Sequence, residues 1–226
     1  MAKTYAIAID GPAGAGKSTI AKALAQEMGF RYVDTGAIYR TVAYFLDLVG
    51  VSPKDVDGVE RYIDELTIVI EYDEEGKQHM IMNGMDVTGE IRTQDISQKA
   101  SLVSAHAVVR EVLLDMQRDV AKQYNVIMDG RDIGTVVLPK ADVKIFLTAT
   151  PEVRAKRRTD ELLAKGEKVD FEKTLKEIQQ RDYQDSHRAI APLKQANDAI
   201  LLDTSDLDIA GVLTAMKKII GEKIPL

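Results

Sequence analysis

Residues 9–19 read IDGPAGAGKST, and within them GPAGAGKS satisfies G-x-x-x-x-G-K-[S/T], with Gly11, Gly16, Lys17 and Ser18 in the required places. The apolar run YAIAI (5–9) precedes the match and a pattern of helical period follows it, the strand–loop–helix context in which this motif cradles phosphate. Glycines let the backbone fold back so that its N–H groups converge on one centre, an approach a side chain would block. The first helical turn adds unpaired N–H groups and the positive end of its dipole. Lys17 can bridge β- and γ-phosphates and the Ser18 hydroxyl can ligate Mg²⁺. Gly11, Pro12, Ala13, Gly14, Ala15, Gly16, Lys17, Ser18 and Thr19 are therefore expected to bind a nucleoside triphosphate.

A phosphate loop needs a sheet behind it, and the chain supplies one. Strand-length apolar runs recur at 5–9, 31–34 (RYVD), 125–129 (NVIMD), 143–149 (VKIFLTA) and 199–204 (AILLDT). All but the short RYVD read as continuous apolar runs, as parallel strands buried on both faces do. Helical periods lie between them at 18–28, 37–49, 96–124, 151–165, 171–188 and 207–220. This alternation predicts an α/β fold, a parallel sheet flanked by helices. Residues 67–91 break the rhythm: they alternate apolar and polar and contain Glu75-Gly76 and Asn83-Gly84, which predicts a small antiparallel insert.

Composition removes several alternatives. At 226 residues and 45% hydrophobic content the chain is long enough for one full domain. A net charge of −6 argues against a nucleic acid as main partner, and the absence of cysteine removes disulfide, thiolate and zinc–cysteine chemistry. No apolar run approaches the length of a membrane span, so the expectation is a cytoplasmic protein with no membrane partner, and a monomer.

The phosphate loop alone does not separate switch GTPases, motor ATPases and small-molecule kinases. Arginines narrow the choice. DTGAIYR (34–40) follows the second strand and offers Thr35, Tyr39 and Arg40; DGRD (129–132) places Asp129, Arg131 and Asp132 at the end of the third. Ligands of open α/β sheets bind beyond those strand ends. Arg154, Arg157 and Arg158 share one helix face, and Arg181, Asp185 and Arg188 another. A single such arginine is ordinarily a solvated charge, but four arginine-bearing segments beside a phosphate loop point to phosphoryl transfer, where guanidinium groups clamp equatorial oxygens. Residues 154–171 have the charge and central glycine of a mobile lid, although a static helical hairpin reads the same way. His79, His106 and His187 sit in unrelated contexts and suggest no acid–base pair. An arginine-rich site suits a phosphate monoester, largely dianionic at neutral pH with a second pKa near ~6, better than a neutral alcohol.

The ordered set IDGPAGAGKST, DTGAIYR, GEIRTQDIS, MDGRDIGTVVLP, KIFLTA and RDYQDSHRAIAPL resembles bacterial cytidylate kinase, a nucleoside monophosphate kinase, from about residue 5 to about residue 205. The resemblance implies an adenylate-kinase-like core with a five-stranded parallel sheet, a monophosphate-binding region enlarged by a small antiparallel sheet, and a helical lid. In this reading the core is 1–36, 92–150 and 189–226, the monophosphate-binding region 37–91 and the lid 151–188. The implied reaction is transfer of the γ-phosphoryl group of ATP to CMP or dCMP, with Mg²⁺.

By motif, the resemblance implies cytosine contacts at Ser101, Arg110 and Asp132. An acidic side chain accepts from the exocyclic amine of cytosine and a guanidinium donates to its N3 and O2, whereas uracil reverses both positions at the 4-position and N3. The acceptor phosphate is expected at Arg40, Arg131 and Arg188 with Tyr39 and Thr35 nearby, and the sugar at Arg181 and Asp185. Arg157 is expected at the donor phosphates or the transition state, so the catalytic set is Lys17, Arg131, Arg157 and Arg188. Ser18 is the expected Mg²⁺ ligand, with Asp129 and Asp10 behind it. Thr35 stands where the resemblance implies serine in many members; the hydroxyl is kept. The alternatives are a UMP/CMP kinase of broader pyrimidine specificity and a phosphate-loop kinase for a small metabolite. A switch protein that reads guanine should carry N-K-x-D, which this sequence lacks.

Overall fold

A computed structural model describes residues 3–225. Its centre is a parallel sheet of β1 (Ala6–Asp10), β2 (Arg31–Asp34), β6 (Val126–Gly130), β7 (Val143–Thr148) and β8 (Ile200–Asp203), in the order β2-β6-β1-β7-β8. Every neighbouring pair in it is parallel. The continuous apolar runs of the sequence arise because both faces are covered. Along β1, Ile7 and Ile9 pack on one face with Ile20 and Leu24 of α1 (Lys17–Met28) and Met216 and Ile220 of α8 (Ile209–Gly221). Ala8, between them, joins the opposite core with Ile38 and Val42 of α2 (Thr35–Leu48), Val103 of α4 (Gln94–Val103) and Leu113 of α5 (Ala107–Gln123).

The insert forms as expected, a three-stranded antiparallel sheet of β3 (Ile68–Tyr72), β4 (Gln78–Met82) and β5 (Met85–Asp86). Asn83 and Gly84 both take positive φ, 48° and 82°, as the two central residues of a tight type I′ turn require. Gln78 ties the insert to the main sheet, its Oε1 accepting from the Asp34 N–H at 2.7 Å. A short α3 (Val56–Tyr62), capped by Asp55, lies between α2 and the insert.

The expected single helix over 96–124 is two. It breaks at Ser104–His106, between α4 and α5, with no glycine or proline to announce it. The Ser104 carbonyl freed at the break accepts from Arg110 Nη1 at 3.1 Å, and His106 Nε2 meets the Pro53 carbonyl at 2.8 Å. The break lets Ser101 and Arg110 approach the strand ends from two different helices.

After β6 the chain makes a π-helical turn, Ile133–Val137. Both its ends are clamped: Asp10 accepts from the Ile133 and Gly134 N–H groups at 2.7 Å each, and Arg118 donates to the Val136 and Val137 carbonyls at 3.0 Å each. The turn therefore holds Asp132, at its start, in a fixed place. Helices α6 (Pro151–Ala164) and α7 (Phe171–His187), capped by Thr150 and Asp170, pack against one another over the segment assigned to the lid. Among the described residues no helix is long and apolar enough to cross a membrane.

Candidate active site

The carboxyl ends of β1, β2 and β6 converge on the phosphate loop. Gly11 has φ 149°, and a Cβ there would lie 1.9 Å from the Leu147 carbonyl oxygen of β7, so only glycine lets the loop leave the sheet this closely. Lys17, 5% exposed, donates to the Pro12 carbonyl at 2.7 Å, lying along the loop. Burial pushes its ammonium pKa down and the nearby Arg131 charge pushes it further. A triphosphate would supply the negative charge this arrangement lacks. Thr19 follows on the first turn of α1.

Beneath the loop, Asp129 is a hub. Its Oδ2 accepts from Ser18 Oγ at 2.9 Å and its Oδ1 from the Tyr32 hydroxyl at 2.7 Å, while its carbonyl accepts from Thr35 Oγ1 at 2.7 Å. Burial, and then the Asp34 charge, raise the Asp129 carboxyl pKa. Among the described residues no group of three or more His, Asp and Glu side chains could hold a metal. Ser18 and Asp129 nevertheless present hard oxygens side by side, which fits Mg²⁺, an ion that keeps waters and takes substrate phosphate oxygens as ligands.

Beside the loop, charged groups alternate in sign. Arg131 Nε donates to Asp185 Oδ2 at 2.9 Å, and Ser101 Oγ lies 3.5 Å from the other oxygen of that carboxylate. Burial alone would raise the Asp185 pKa, but Arg131 and Arg181 outweigh it and hold the group ionised. Asp132 lies between Arg110 and Arg188, with Arg188 Nη2 3.3 Å from its Oδ1 and Arg110 donating to its Oδ2. The Arg110 guanidinium stacks over the Tyr39 ring at 5.6 Å. Arg188 also donates to Ser104 Oγ at 3.1 Å and to the carbonyl of Ala191 at 2.7 Å, a residue with a positive φ of 46°.

Arg40 and Arg181 are the incompletely satisfied members. Arg40 Nη2 donates to Asp34 Oδ2 at 2.9 Å, while Asp34 also caps α2 through the Ala37 N–H. Arg40 Nε and Arg181 Nε are buried without a partner. Burial and the neighbouring Arg131 charge push the Arg181 pKa down to about 10, and its buried Nε–H has no acceptor. A phosphate or hydroxyl-bearing ligand would supply one.

The structure thus gathers Thr35, Tyr39, Arg40, Ser101, Arg110, Arg131, Asp132, Arg181, Asp185 and Arg188 around the strand ends next to the loop. Arg157 is held apart, donating to the Thr204 hydroxyl and to the Thr204 and Leu207 carbonyls after β8. Arg158 pairs with Glu161 on the surface at 3.0 Å. Sequence reasoning did not single out Tyr32, Ser104 or Asp182; each acts through a contact distant along the chain, for which no local spacing gives a signal.

Comparisons with known proteins bear on the family. The family model described as cytidylate kinase matches residues 7–222. A protein named cytidylate kinase from Exiguobacterium sp. is 47% identical over 222 residues, covering 98% of this chain and 99% of its own. Another of that name from Carboxydothermus hydrogenoformans is 48% identical over 217 residues, covering 96% of this chain and 97% of its own. In fold, the chain is similar to a crystal structure of an uncharacterized protein from Eubacterium ventriosum, with a TM-score of 0.51 at 15% identity, covering 97% and 99% of the two chains. The phosphate loop, the arginine-lined strand ends and the near-full-length similarity converge: the chain belongs to the cytidylate kinase family.

Proposed function

We propose that this protein transfers the γ-phosphoryl group of ATP to CMP or dCMP, giving ADP and CDP or dCDP. The observation that carries the choice of base is the adjacency of Arg110 and Asp132, each 9% exposed or less. A guanidinium donor beside a carboxylate acceptor is the complement of cytosine, with its N3 acceptor and 4-amino donor, and the mismatch of uracil. Ser101 lies at the edge of the same cluster.

The division of labour follows from the charges. Gly11 to Thr19 hold the donor, with Lys17 moving from the Pro12 carbonyl onto the phosphates. Ser18, with Asp129 behind it, would hold Mg²⁺, which would supply positive charge against the donor phosphates. Arg40, Arg131 and Arg188 hold the acceptor phosphate, and Arg181 and Asp185 the sugar, with Tyr39 and Thr35 lining the passage. The acceptor is a dianion, so it attacks without a general base, and catalysis is positioning plus charge stabilisation. Arg157 leaves Thr204 and Leu207 to reach the donor phosphates as the lid, 151–188, closes and excludes water. The core is 1–36, 92–150 and 189–226 and the monophosphate-binding region 37–91. The protein works as a cytoplasmic monomer.

Steady-state transfer assays with CMP, dCMP, UMP and AMP test the reading. CMP and dCMP should give the highest kcat/KM; a better rate with UMP would favour the broader pyrimidine kinase, and activity only on an uncharged alcohol a metabolite kinase.

A further inference from the structure

Arg154, near the start of α6, is 3% exposed and almost fully occupied by partners. Its Nε donates to the Ala149 carbonyl at 2.8 Å. Its Nη1 donates to Asp182 Oδ1 at 2.9 Å and to the Ala13 carbonyl at 3.0 Å, and its Nη2 to Asp182 Oδ2 at 2.5 Å. Arg154 is buried while Asp182 remains a quarter exposed, and an ion pair of this kind contributes little net stability, so its presence here asks for another reason.

The Ala13 carbonyl supplies that reason. It belongs to the same planar trans peptide unit as the Gly14 N–H, so the two point in opposite directions. Fixing the carbonyl on Arg154 turns the Gly14 N–H away from α6. The approach is close: Gly14 has φ 76°, and a Cβ added to it would lie 3.3 Å from the Arg154 Cβ. Asp182, the other partner, sits on α7 between Arg181 and Asp185, and Asp185 holds Arg131. One helix thus bears on both halves of the site, the acceptor side through Asp185 and the phosphate loop through Asp182 and Arg154.

We infer that Arg154 and Asp182 are a positioning pair that aims the Gly14 N–H at the donor phosphates and couples α7 to the phosphate loop. The inference rests on the reading that this loop binds ATP. Asp182→Asn keeps the size of the side chain but removes the charge that holds the guanidinium. Arg154→Lys keeps the charge but cannot reach Asp182 and Ala13 together with a fork. Each variant should raise the KM for ATP at least tenfold and change the KM for CMP less than twofold. The Gly14 amide resonance should shift in both variants without nucleotide, and Asp182→Glu should recover part of the ATP affinity. A folded variant whose KM for ATP is unchanged overturns the inference. So does loss of fold in both variants, or an equal rise in both KM values, since each assigns the pair a purely structural role. A wild-type protein that fails to bind ATP by calorimetry would instead refute the phosphate-loop reading, whatever the variants do.

Discussion

Ser18 of the phosphate loop and Asp129 at the end of β6 are 111 residues apart in sequence, and the Ser18 hydroxyl donates to Asp129 Oδ2 at 2.9 Å. This contact joins the first turn of α1 to the strand that also delivers Arg131 and Asp132, so the donor loop and the acceptor-side charges share one rigid support. Tyr32 completes it from β2, donating to the other oxygen of the same carboxylate.

Asp129→Asn tests that support. The amide retains one oxygen for Ser18 or Tyr32, and the other hydroxyl can rotate to accept from the new amide, so the fold should survive. The charge behind the Mg²⁺ ligand is lost. Changes to groups that orient a metal ligand typically cost about 10–100-fold in metal affinity or activity. The expected result is a fall in kcat of that size with a raised Mg²⁺ requirement, read from rates across a Mg²⁺ titration. An unchanged Mg²⁺ dependence would remove Asp129 from the metal's surroundings.

Asp132→Asn tests base reading. The asparagine replaces an acceptor oxygen with a donor, which no longer matches the amine of cytosine. A misplaced buried polar group costs about 1–3 kcal/mol, so kcat/KM for CMP should fall by about 10–100-fold. The loss for UMP should be much smaller. Equal losses for the two bases would limit Asp132 to holding Arg110 and Arg188 in place. Because those two buried guanidinium groups lose their shared counter-charge, the Tm should also fall.

Arg181→Met should trade binding for stability. In the free protein Arg181 is partly exposed beside Arg131, its Nε is buried with no partner, and its pKa is pushed down to about 10, so its charge opposes folding. Removing it should raise the Tm of the free protein, by about 2–4 °C for each kcal/mol gained in a chain of this size. The same change should abolish most of the stabilisation that CMP confers on the wild type, which follows ligand concentration over Kd. A lower Tm without ligand would show that Arg181 has structural partners that outweigh the repulsion.

Much of this was legible in the sequence because it is local. The phosphate loop, the strands and the Asn83-Gly84 turn are each dictated within a few residues, by backbone freedom, burial on two faces and required positive φ. The break at Ser104–His106 was not legible, since Ser104, Ala105 and His106 can all continue a helix. Tertiary contacts, Arg110 to the Ser104 carbonyl and His106 to Pro53, decide the matter there. Ser101 and Arg110 were accordingly reached only through family resemblance; on pattern alone they belong to one long amphipathic helix. The π-helical turn after β6 was equally silent, because its clamps, Asp10 and Arg118, come from elsewhere in the chain. Among the arginines, helix spacing put Arg154, Arg157 and Arg158 on one face of α6, and the structure separates them. Spacing could not say that the first would face the phosphate loop, the second the loop after β8 and the third solvent.

Asp10 gives the fold an unusual pH dependence. Its carboxylate accepts from two N–H groups of the π-helical turn, which favours the ionised form, yet burial outweighs them and raises its pKa from 3.8 to about 6. The folded protein therefore binds this proton more tightly than the unfolded chain. The stability it contributes is complete below pH 3.8 and is lost as pH rises through about 6, the reverse of a salt-bridged carboxylate. A shift of this size corresponds to at most about 3 kcal/mol. Between pH 4 and 6, the unfolding free energy of the wild type should fall relative to that of Asp10→Asn by up to that amount, measured by urea denaturation at each pH. Asp10→Asn should also be less stable than the wild type at low pH, because its amide turns a donor toward one of the two N–H groups. If the two proteins run parallel across this range, the N–H groups of Ile133 and Gly134 hold the carboxylate ionised throughout, and Asp10 is a fixed negative anchor for the turn that carries Asp132.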